Sequence, residues 1–402
     1  MNLKDLKNLF GKEEIVMAEE NNLFDFATSE LSQDAFICWL CNWVNIEVEK
    51  ESDEEKLKNL AIKFIEEMSG EKLNERKVKI ERQYVMSGED EKGKSRKYII
   101  DILLGIKNKE NDGIVDKYII IEDKTFTGVH GDQINKYREY LAKEKKISKN
   151  SIRCIYYKIG DQPNPQDEDD FEYNRKKIIE LFKNRNIENS IFKSYLTYLE
   201  RMENEINLYV NMNIKKWEKN QYIGFFKFLK EKEKELLKCD ECSWGYVPNA
   251  SGGFMGFWWF PLNDEEFKKI QMENEFLYFQ IEQYPVKEKK EKEEKYITKD
   301  IIAVKYTVDK PDSDEKKETE GIKIGAEKRR IIYEYFQKKA KEKGEEFKKK
   351  TFRSGKYMTV GYLEYDYENY KKKIKCLQEI LESLRNDEKL LEELQNTENN
   401  TR

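Results

Sequence analysis

The sequence contains the run Lys97-Tyr98-Ile99-Ile100-Asp101-Ile102-Leu103-Leu104-Gly105-Ile106. One carboxylate interrupts an otherwise apolar segment, and an apolar run of this length predicts a buried strand. Burying an unpaired carboxylate costs several kcal/mol unless other groups compensate its charge. Asp101 therefore lies where a negative charge is costly, which makes it the first candidate functional residue.

A second apolar run, Tyr118 to Ile121, is followed by Glu122 and Lys124. A segment rich in Asn, Asp and Gly separates the two runs, so they are predicted to form an antiparallel hairpin. Side chains alternate along a strand, which places Glu122 and Lys124 on one face. If Asp101 faces them, two carboxylates and an ammonium converge, and two carboxylates can share a divalent cation while remaining charged.

Two carboxylates and a lysine suit the cleavage of phosphodiester bonds. Mg²⁺ is typically held by one or two carboxylates and keeps its other positions for waters and phosphate oxygens. The ion polarises the phosphate and lowers the pKa of the attacking water. A lysine two residues after the second carboxylate can position that water and offset the developing negative charge. The pattern predicts a Mg²⁺-dependent hydrolase in which Mn²⁺ can substitute.

Asp101, followed one hairpin later by Glu122-Asp123-Lys124, resembles the signature of the PD-(D/E)XK nuclease superfamily. The resemblance implies a restriction-endonuclease-like core in an α/β (α+β) fold. The predicted elements, which end with a strand at Ile152–Lys158, have the order α-β-β-β-α-β, and this order predicts a mixed sheet flanked by helices. The resemblance also implies that Asp101 and Glu122 hold the metal and that Lys124 orients the water. Ile100 stands where the superfamily name has proline, a residue that is often absent in this superfamily.

Two further motifs extend the resemblance over about the first 160 residues. Gln133 and Tyr137, one turn apart on the next helix, look like the Q-x-x-x-Y element of the exonuclease-like branch and would shape the substrate side of the site. The segment that begins at Glu30 is similar to the first-helix motif of a bacterial stand-alone branch. In that branch the helix glutamate, here Glu30, joins the metal site.

Simpler interpretations of these residues remain open. Glu30 is also explained by the electrostatics of a helix start, for which Ser32 is the predicted N-cap. Gln133 and Tyr137 also fit a partly buried helix seam. His130, the only histidine, is a candidate substrate contact or a structural loop residue, and Lys136 is a candidate phosphate contact.

Charge and hydropathy limit the class of protein. The 75 Lys and Arg residues are balanced by 80 Asp and Glu, a net charge of −5, so phosphate binding must rely on local patches. No segment approaches the ~20 apolar residues that span a bilayer. The start of the sequence has no apolar signal core, so we expect a cytoplasmic protein with no membrane partner.

Six cysteines are expected to be reduced in that compartment. Two pairs, Cys38/Cys41 and Cys239/Cys242, have the C-x-x-C spacing, and together they could form a four-thiolate zinc site. Alternatively, Cys38 and Cys41 are packed residues of the predicted first helix, because buried cysteine behaves as a small hydrophobe.

Composition divides the chain into three predicted regions. Residues 1–160 form the nuclease-like core, residues 161–240 are helical, and residues 241–402 form an α+β domain for recognition or assembly. The last region contains an aromatic run, 254–260, that fits either a core strand or a base-stacking surface. Its segment 287–295 mixes Lys with Glu and predicts a charged loop. Segment 348–356, with Arg329 and Arg330, is a basic patch for a phosphate backbone or a solvated turn.

We therefore expect a Mg²⁺-dependent nuclease that hydrolyses DNA rather than RNA. The first alternative is a non-catalytic module that keeps the nuclease fold and binds nucleic acid or a partner protein. The second is a structural ion-pair cluster in an unrelated α+β protein. Stand-alone bacterial proteins with such a catalytic half look like components of defence against phage or foreign DNA. In that setting the C-terminal half would bind an activator or partner, and a homo-oligomer would suit double-strand cleavage.

Overall fold

The computed structural model describes residues 21–89, 95–125, 133–161, 171–239, 242–249, 252–261, 275–290, 293–308, 315–349 and 357–399. Over these residues the chain is mixed α/β, with ten helices and two five-stranded sheets. It divides into two compact units, unit 1 (Met1–Glu205) and unit 2 (Ile206–Arg402). The predicted helical region 161–240 is shared between them, because its first helices pack on the core of unit 1 and its later ones on the core of unit 2.

Unit 1 contains helices on both sides of a mixed sheet. Its elements are α1 (Glu30–Asn42), α2 (Asp53–Ser69), β1 (Val78–Glu89), β2 (Ser95–Lys107), β3 (Val115–Lys124), α3 (Gln133–Lys145), β4 (Ile152–Lys158), β5 (Phe171–Asn174), α4 (Arg175–Phe182) and α5 (Ser190–Asn207). Strands β1, β2 and β3 are antiparallel, whereas β4 and β5 continue the sheet in parallel. The predicted β2–β3 hairpin and mixed sheet are confirmed; β5 is an additional strand.

The central strands are buried on both faces, which explains their unbroken apolar runs. Ile119 and Ile121 of β3 pack in the core that contains α1 and α2, whereas Tyr118 and Ile120 pack in the core that contains α3. Alternation along the strand therefore turns Glu122 and Lys124 toward the α3 side of the sheet.

Helix α1 starts three residues before the predicted position. Its N-cap is Ser29, whose side-chain oxygen accepts a hydrogen bond from the Ser32 backbone N–H at 3.3 Å, so the prediction of Ser32 as the cap is wrong. The physical reason is that both the side-chain oxygen and the backbone carbonyl of Ser29 accept from the Ser32 N–H, so the first turn is already formed at Ser32. Glu30 is consequently the first residue of the helix.

Unit 2 contains an antiparallel sheet with the order β10-β9-β8-β7-β6, as the sequence predicts for this region. Its elements are α6 (Lys219–Lys232), α7 (Lys234–Leu237), β6 (Cys242–Asn249), β7 (Gly252–Trp259), β8 (Glu275–Lys290), β9 (Glu293–Val308), α8 (Glu315–Glu342), β10 (Tyr357–Glu364), α9 (Tyr370–Arg385) and α10 (Glu388–Asn399). Phe257 and Trp259 of the aromatic run are buried in its core.

The charged segment 287–295 is not the predicted loop. Its described residues extend β8 and β9 into a long hairpin, and the register sets Glu288 opposite Lys295 and Lys289 opposite Glu294. The backbone of this segment is therefore paired where its composition predicts a loop.

The helices of the described ranges include none that combines the length and apolar character of a bilayer span.

Candidate active site

The register of β2 and β3 brings the two predicted carboxylates together. Ile102 pairs with Ile121, so the next position along the hairpin sets Asp101 opposite Glu122 on the α3 side of the sheet. The Lys124 Nζ lies 2.8 Å from the Glu122 Oε1. Asp101, Glu122 and Lys124 therefore form one cluster, which the sequence predicted from alternation alone.

Glu122 is 2% exposed, and only one of its oxygens is engaged. Its Oε1 accepts hydrogen bonds from Lys124 and from the Gln133 Nε2 at 3.0 Å, whereas its buried Oε2 has no hydrogen-bond partner. Burial raises the pKa of Glu122 to about 7, and the charge of Asp101 adds to the rise while Lys124 opposes it. The single ammonium of Lys124 therefore does not fully offset the negative charges of Glu122 and Asp101.

Asp101 is held from two directions. Its Oδ2 accepts a hydrogen bond from the Asp123 backbone N–H at 3.0 Å, and its Oδ1 accepts one from the Gln83 Nε2 at 3.3 Å. Burial raises the pKa of Asp101, although the Asp123 N–H and the charge of Lys124 oppose the shift. Burial alone would lower the pKa of Lys124, but Glu122 outweighs it, so the ammonium form is favoured.

Helix α3 supplies the two predicted substrate-side residues. The Gln133 Nε2 contacts the Tyr137 hydroxyl at 2.5 Å as well as Glu122, and Tyr137 itself is buried. These contacts place both side chains beside the carboxylates. Lys136 is half-buried on the same helix, and His130 lies outside the described residues.

Glu30 reaches the end of β3 from helix α1. Its Oε1 lies 3.4 Å from the Thr125 backbone N–H, one residue beyond Lys124. The buried Thr125 hydroxyl accepts a hydrogen bond from the Gln33 Nε2 at 2.9 Å, and Gln33 in turn accepts one from the Tyr195 hydroxyl at 2.8 Å. This polar chain fixes α1 against the strand end that carries the cluster.

Three residues of the site were missed from the sequence. Asp34 (1% exposed) and Asp123 (0% exposed) lie near the cluster, and between them they leave three carboxylate oxygens without a hydrogen bond. Burial raises the pKa of Asp34 to about 7 and that of Asp123 well above its usual range, with the other carboxylates adding to both shifts. Asp34, four residues after Glu30, shares its helix face, a spacing that could have identified it.

Gln83 is the third missed residue. It lies within strand β1 but has a φ of 53°, in the left-handed region that non-glycine residues rarely adopt. Its Nε2 donates hydrogen bonds to the Asp34 Oδ2 at 3.1 Å and to the Asp101 Oδ1. No sequence signal marks Gln83, because glutamine has no preference for this conformation.

The residues present fit a hard divalent cation. In the described part of the chain, no three His, Cys, Asp or Glu side chains are arranged as a metal-binding group. Mg²⁺ requires only one or two carboxylates because it retains several waters. The Glu122 Oε2, which has no hydrogen-bond partner, and the carboxylate of Asp101 opposite it are oxygen ligands of this kind. The raised pKa of Glu122 reflects a shortage of positive charge beside its carboxylate.

The cysteine pairs and the basic patch fall into separate contexts. Cys38 and Cys41 are packed on α1, as one interpretation predicted, and none of the six cysteines, all of which are described, is in a disulfide. Arg329 and Arg330 line a cavity of about 330 Å³ in unit 2. The other residues that line it are Lys323, Ala326, Glu327, Tyr333 and Lys349. The remainder of the predicted basic segment, residues 350–356, lies outside the described residues.

Comparisons with protein-family models, with curated proteins and with solved structures found no match.

Proposed function

We propose that unit 1 is a Mg²⁺-dependent deoxyribonuclease with a restriction-endonuclease-like core. The observation that carries the proposal is the convergence of Asp101, Glu122 and Lys124 on two antiparallel strands of a mixed sheet. The additional contact of Gln133 with Glu122 supports it, because this residue comes from the helix in which the family resemblance expects it.

The charge balance favours a ligand-binding role over a structural ion pair. A structural pair would match one carboxylate with one ammonium, whereas Lys124 faces both Glu122 and Asp101. The excess carboxylate is costly in a buried position unless a cation joins it. We infer that the cluster is retained for such a cation.

Each side chain has a distinct task in the proposed reaction. Glu122 and Asp101 would hold the ion, with Glu30 assisting, and the bound ion would supply Lewis-acid polarisation of the scissile phosphate. Lys124 would orient the attacking water and offset the negative charge that develops on the phosphate. Gln133, held by Tyr137, would keep the Glu122 carboxylate oriented.

The test is cleavage of supercoiled plasmid, linear duplex, single-stranded DNA and RNA by the full chain. Each substrate is incubated with Mg²⁺, Mn²⁺ or EDTA. We expect metal-dependent cleavage of DNA that falls at least about 100-fold in Asp101→Asn and Lys124→Met. Asp116→Asn changes an exposed carboxylate on β3, the strand of Lys124, and should cut like the wild type.

Two results would overturn the assignment. Undiminished cleavage in folded Asp101→Asn would show that the cluster is not the active site. An absence of cleavage together with an absence of Mn²⁺ binding would favour the non-catalytic nucleic-acid- or partner-binding module.

The biological setting that fits such a nuclease is bacterial defence against phage or foreign DNA in the cytoplasm. Unit 2 would then recruit or sense, through a protein partner or activator. Expression of the wild type should reduce phage plaque numbers, and Asp101→Asn should restore them; equal plaque numbers for both proteins would contradict this role.

A further inference from the structure

Unit 2 contains a cavity of about 330 Å³, the arginine cavity, that Arg329 and Arg330 line. Helix α8 contributes every lining residue except Lys349, and helical spacing puts Ala326, Arg330 and Tyr333 on one stripe of that helix. The lining contains one carboxylate, that of Glu327, and four cations, which belong to Lys323, Arg329, Arg330 and Lys349. The net charge of the lining is therefore positive.

The one carboxylate of the lining is matched by one of its cations. The Glu327 Oε1 lies 2.8 Å from the Arg330 Nη2, and the Arg330 Nη1 lies 2.5 Å from the Glu334 Oε1 on the next turn. Arg330 is therefore the cation that the acidic groups of this helix face compensate. The positive surplus of the lining comes from the other three cations.

Arg329 is the buried cation of the arginine cavity. It is 8% exposed, and burial lowers the pKa of its guanidinium. Burying a charge is costly unless an opposite charge joins it. An anion inside the cavity would lower that cost, because it adds negative charge beside the guanidinium.

Lys349 is held beside helix α8 by its neighbours. The backbone N–H and C=O of Lys348 both form hydrogen bonds with Tyr362 of β10, at 2.9 and 3.0 Å. The Lys349 Nζ lies 5.5 Å from the centre of the Tyr333 ring, a cation–π contact. The face of this ring is thus turned to an ammonium, so the cavity offers a ligand positive charge rather than a stacking surface.

We propose that the arginine cavity binds the phosphate monoester of a small molecule. Such a phosphate carries a charge between about −1.5 and −2 at pH 7, which suits a lining with several surplus cations better than a monocarboxylate does. The planar fork of a guanidinium matches phosphate oxygens in geometry as well as charge. The volume lies at the lower end of the range for small-molecule pockets, about 300–1,000 Å³. This proposal is independent of the nuclease function of unit 1.

The burial of Arg329 favours a small ligand over a nucleic-acid backbone. A duplex that lies on the surface of unit 2 contacts exposed side chains such as Lys323 and Lys349. Arg329, by contrast, is reached by an anion that enters the cavity. A backbone phosphodiester also carries only one negative charge.

The experiment is isothermal titration calorimetry of the full chain in EDTA, which keeps divalent cations from the carboxylates of unit 1. The probes are inorganic phosphate, AMP, adenosine and an oligothymidylate without terminal phosphates. The buffer contains about 0.15 M salt to screen exposed charges. We expect saturable binding of one inorganic phosphate or one AMP per chain, and no binding of adenosine.

Variants separate the cavity from general surface charge. Arg329→Gln and Lys349→Gln should each weaken AMP binding at least about 10-fold, because each removes a charge-assisted contact. Ala326→Leu keeps every charge but fills space in the cavity, and it should weaken AMP binding by a similar factor. Lys338→Gln changes an exposed lysine of α8 outside the lining and should bind AMP like the wild type. Lys349 and Ala326 are not buried, so the test does not depend on the fold tolerating Arg329→Gln.

Three results would overturn the proposal. The first is a wild type that binds neither inorganic phosphate nor AMP saturably, or that binds adenosine as tightly as AMP. The second is an AMP affinity that Lys349→Gln and Ala326→Leu leave unchanged. The third is an oligothymidylate that binds as tightly as AMP and is weakened by the same variants, which would assign the cavity to a phosphodiester backbone.

Discussion

The two units treat carboxylates buried in their sheets in opposite ways. In unit 2, Glu282 of β8 is 2% exposed, and its carboxylate lies 2.9 Å from the Lys305 Nζ of β9. Lys305 also donates a hydrogen bond to the Thr359 hydroxyl of β10 at 3.0 Å, so one ammonium pairs with the carboxylate of β8 and contacts a hydroxyl of β10. In unit 1, Glu122 keeps one oxygen without a partner and Asp123 keeps both.

The difference shows that this chain can neutralise a buried carboxylate when the group serves only the fold. The cluster of unit 1 is left incompletely compensated, and the raised pKa of Glu122 expresses the cost. Groups of this kind are concentrated at functional sites, where strain and uncompensated charge serve binding or catalysis. The comparison therefore separates a carboxylate that an ammonium compensates from a cluster whose negative charge is only partly compensated.

The largest expected effect comes from removing the ammonium in each unit. Lys305→Met leaves Glu282 charged and buried, and we expect it to lower the stability of unit 2 by about 3–5 kcal/mol. Lys124→Met should cost unit 1 only about 1 kcal/mol near pH 7. The reason for the smaller cost is that Glu122, whose pKa is already about 7, takes up a proton instead.

Hydrogen exchange on peptides from each sheet, in EDTA, measures the two units separately even if they unfold independently. Lys109→Met, at an exposed position of the β2–β3 hairpin, is the matched control and should change neither unit. Equal losses for Lys305→Met and Lys124→Met would remove the distinction between the two clusters.

The second effect is a pH dependence that Asp34 gives to unit 1. Its folded-state pKa of about 7 lies above the unfolded value near 3.8, so the folded state binds a proton that the unfolded state releases. Stability must therefore fall as the pH rises from about 4 to about 7. Asp34→Asn should remove this loss and stabilise unit 1 at pH 8 by up to about 4 kcal/mol, at about 1.4 kcal/mol per pKa unit.

Unfolding of wild type and Asp34→Asn, followed on unit 1 at pH 4 and pH 8 in EDTA, checks the sign as well as the size. The two proteins should be similar at pH 4 and diverge at pH 8. Asp116→Asn, which changes an exposed carboxylate, should follow the wild type at both pH values. A wild type that gains stability toward pH 8 relative to Asp34→Asn would show that Asp34 has a compensating partner.

The sequence was sufficient for those site residues whose placement follows from local rules. Alternation along β3 and one hairpin suffice to bring Asp101, Glu122 and Lys124 together, and helical spacing suffices for Gln133 and Tyr137. The packing of α1 against the sheet is non-local, so the same reasoning could not show that Asp34 and Asp123 would be buried side by side. Their consequence, a cluster with too many carboxylates, is visible only in the folded chain.

The fold shows the same limit. Apolar strands such as β4 were predicted with their observed bounds, because burial on both faces leaves a clear pattern. The hairpin of β8 and β9 extends beyond the predicted strands, because segment 287–295, made of Lys and Glu, has no apolar alternation from which a strand could be predicted.

The smallest effect concerns the strain at Gln83, a feature with no counterpart among the described residues of the unit 2 sheet. Both Gln83→Ala and Gln83→Gly remove the hydrogen bonds to Asp34 and Asp101, but only glycine adopts a φ of 53° without steric cost. We therefore expect the glycine variant to be about 1 kcal/mol more stable than the alanine variant. Urea unfolding of unit 1 measures the difference.

Mn²⁺ affinity tests whether the strained conformation of Gln83 contributes to metal binding. Because both variants lose the donor that orients the Asp101 carboxylate, both should bind Mn²⁺ about 10-fold more weakly than the wild type, despite their different stabilities. Gln83→Glu, which keeps the length of the side chain but replaces the donor with a further carboxylate, should bind Mn²⁺ no better than the alanine variant. Unchanged Mn²⁺ affinity in the glycine variant would mean that Gln83 only joins β1 to α1. A parallel loss in both would show that unit 1 holds a strained residue in place to orient a carboxylate, whereas in unit 2 the buried Glu282 is paired with Lys305.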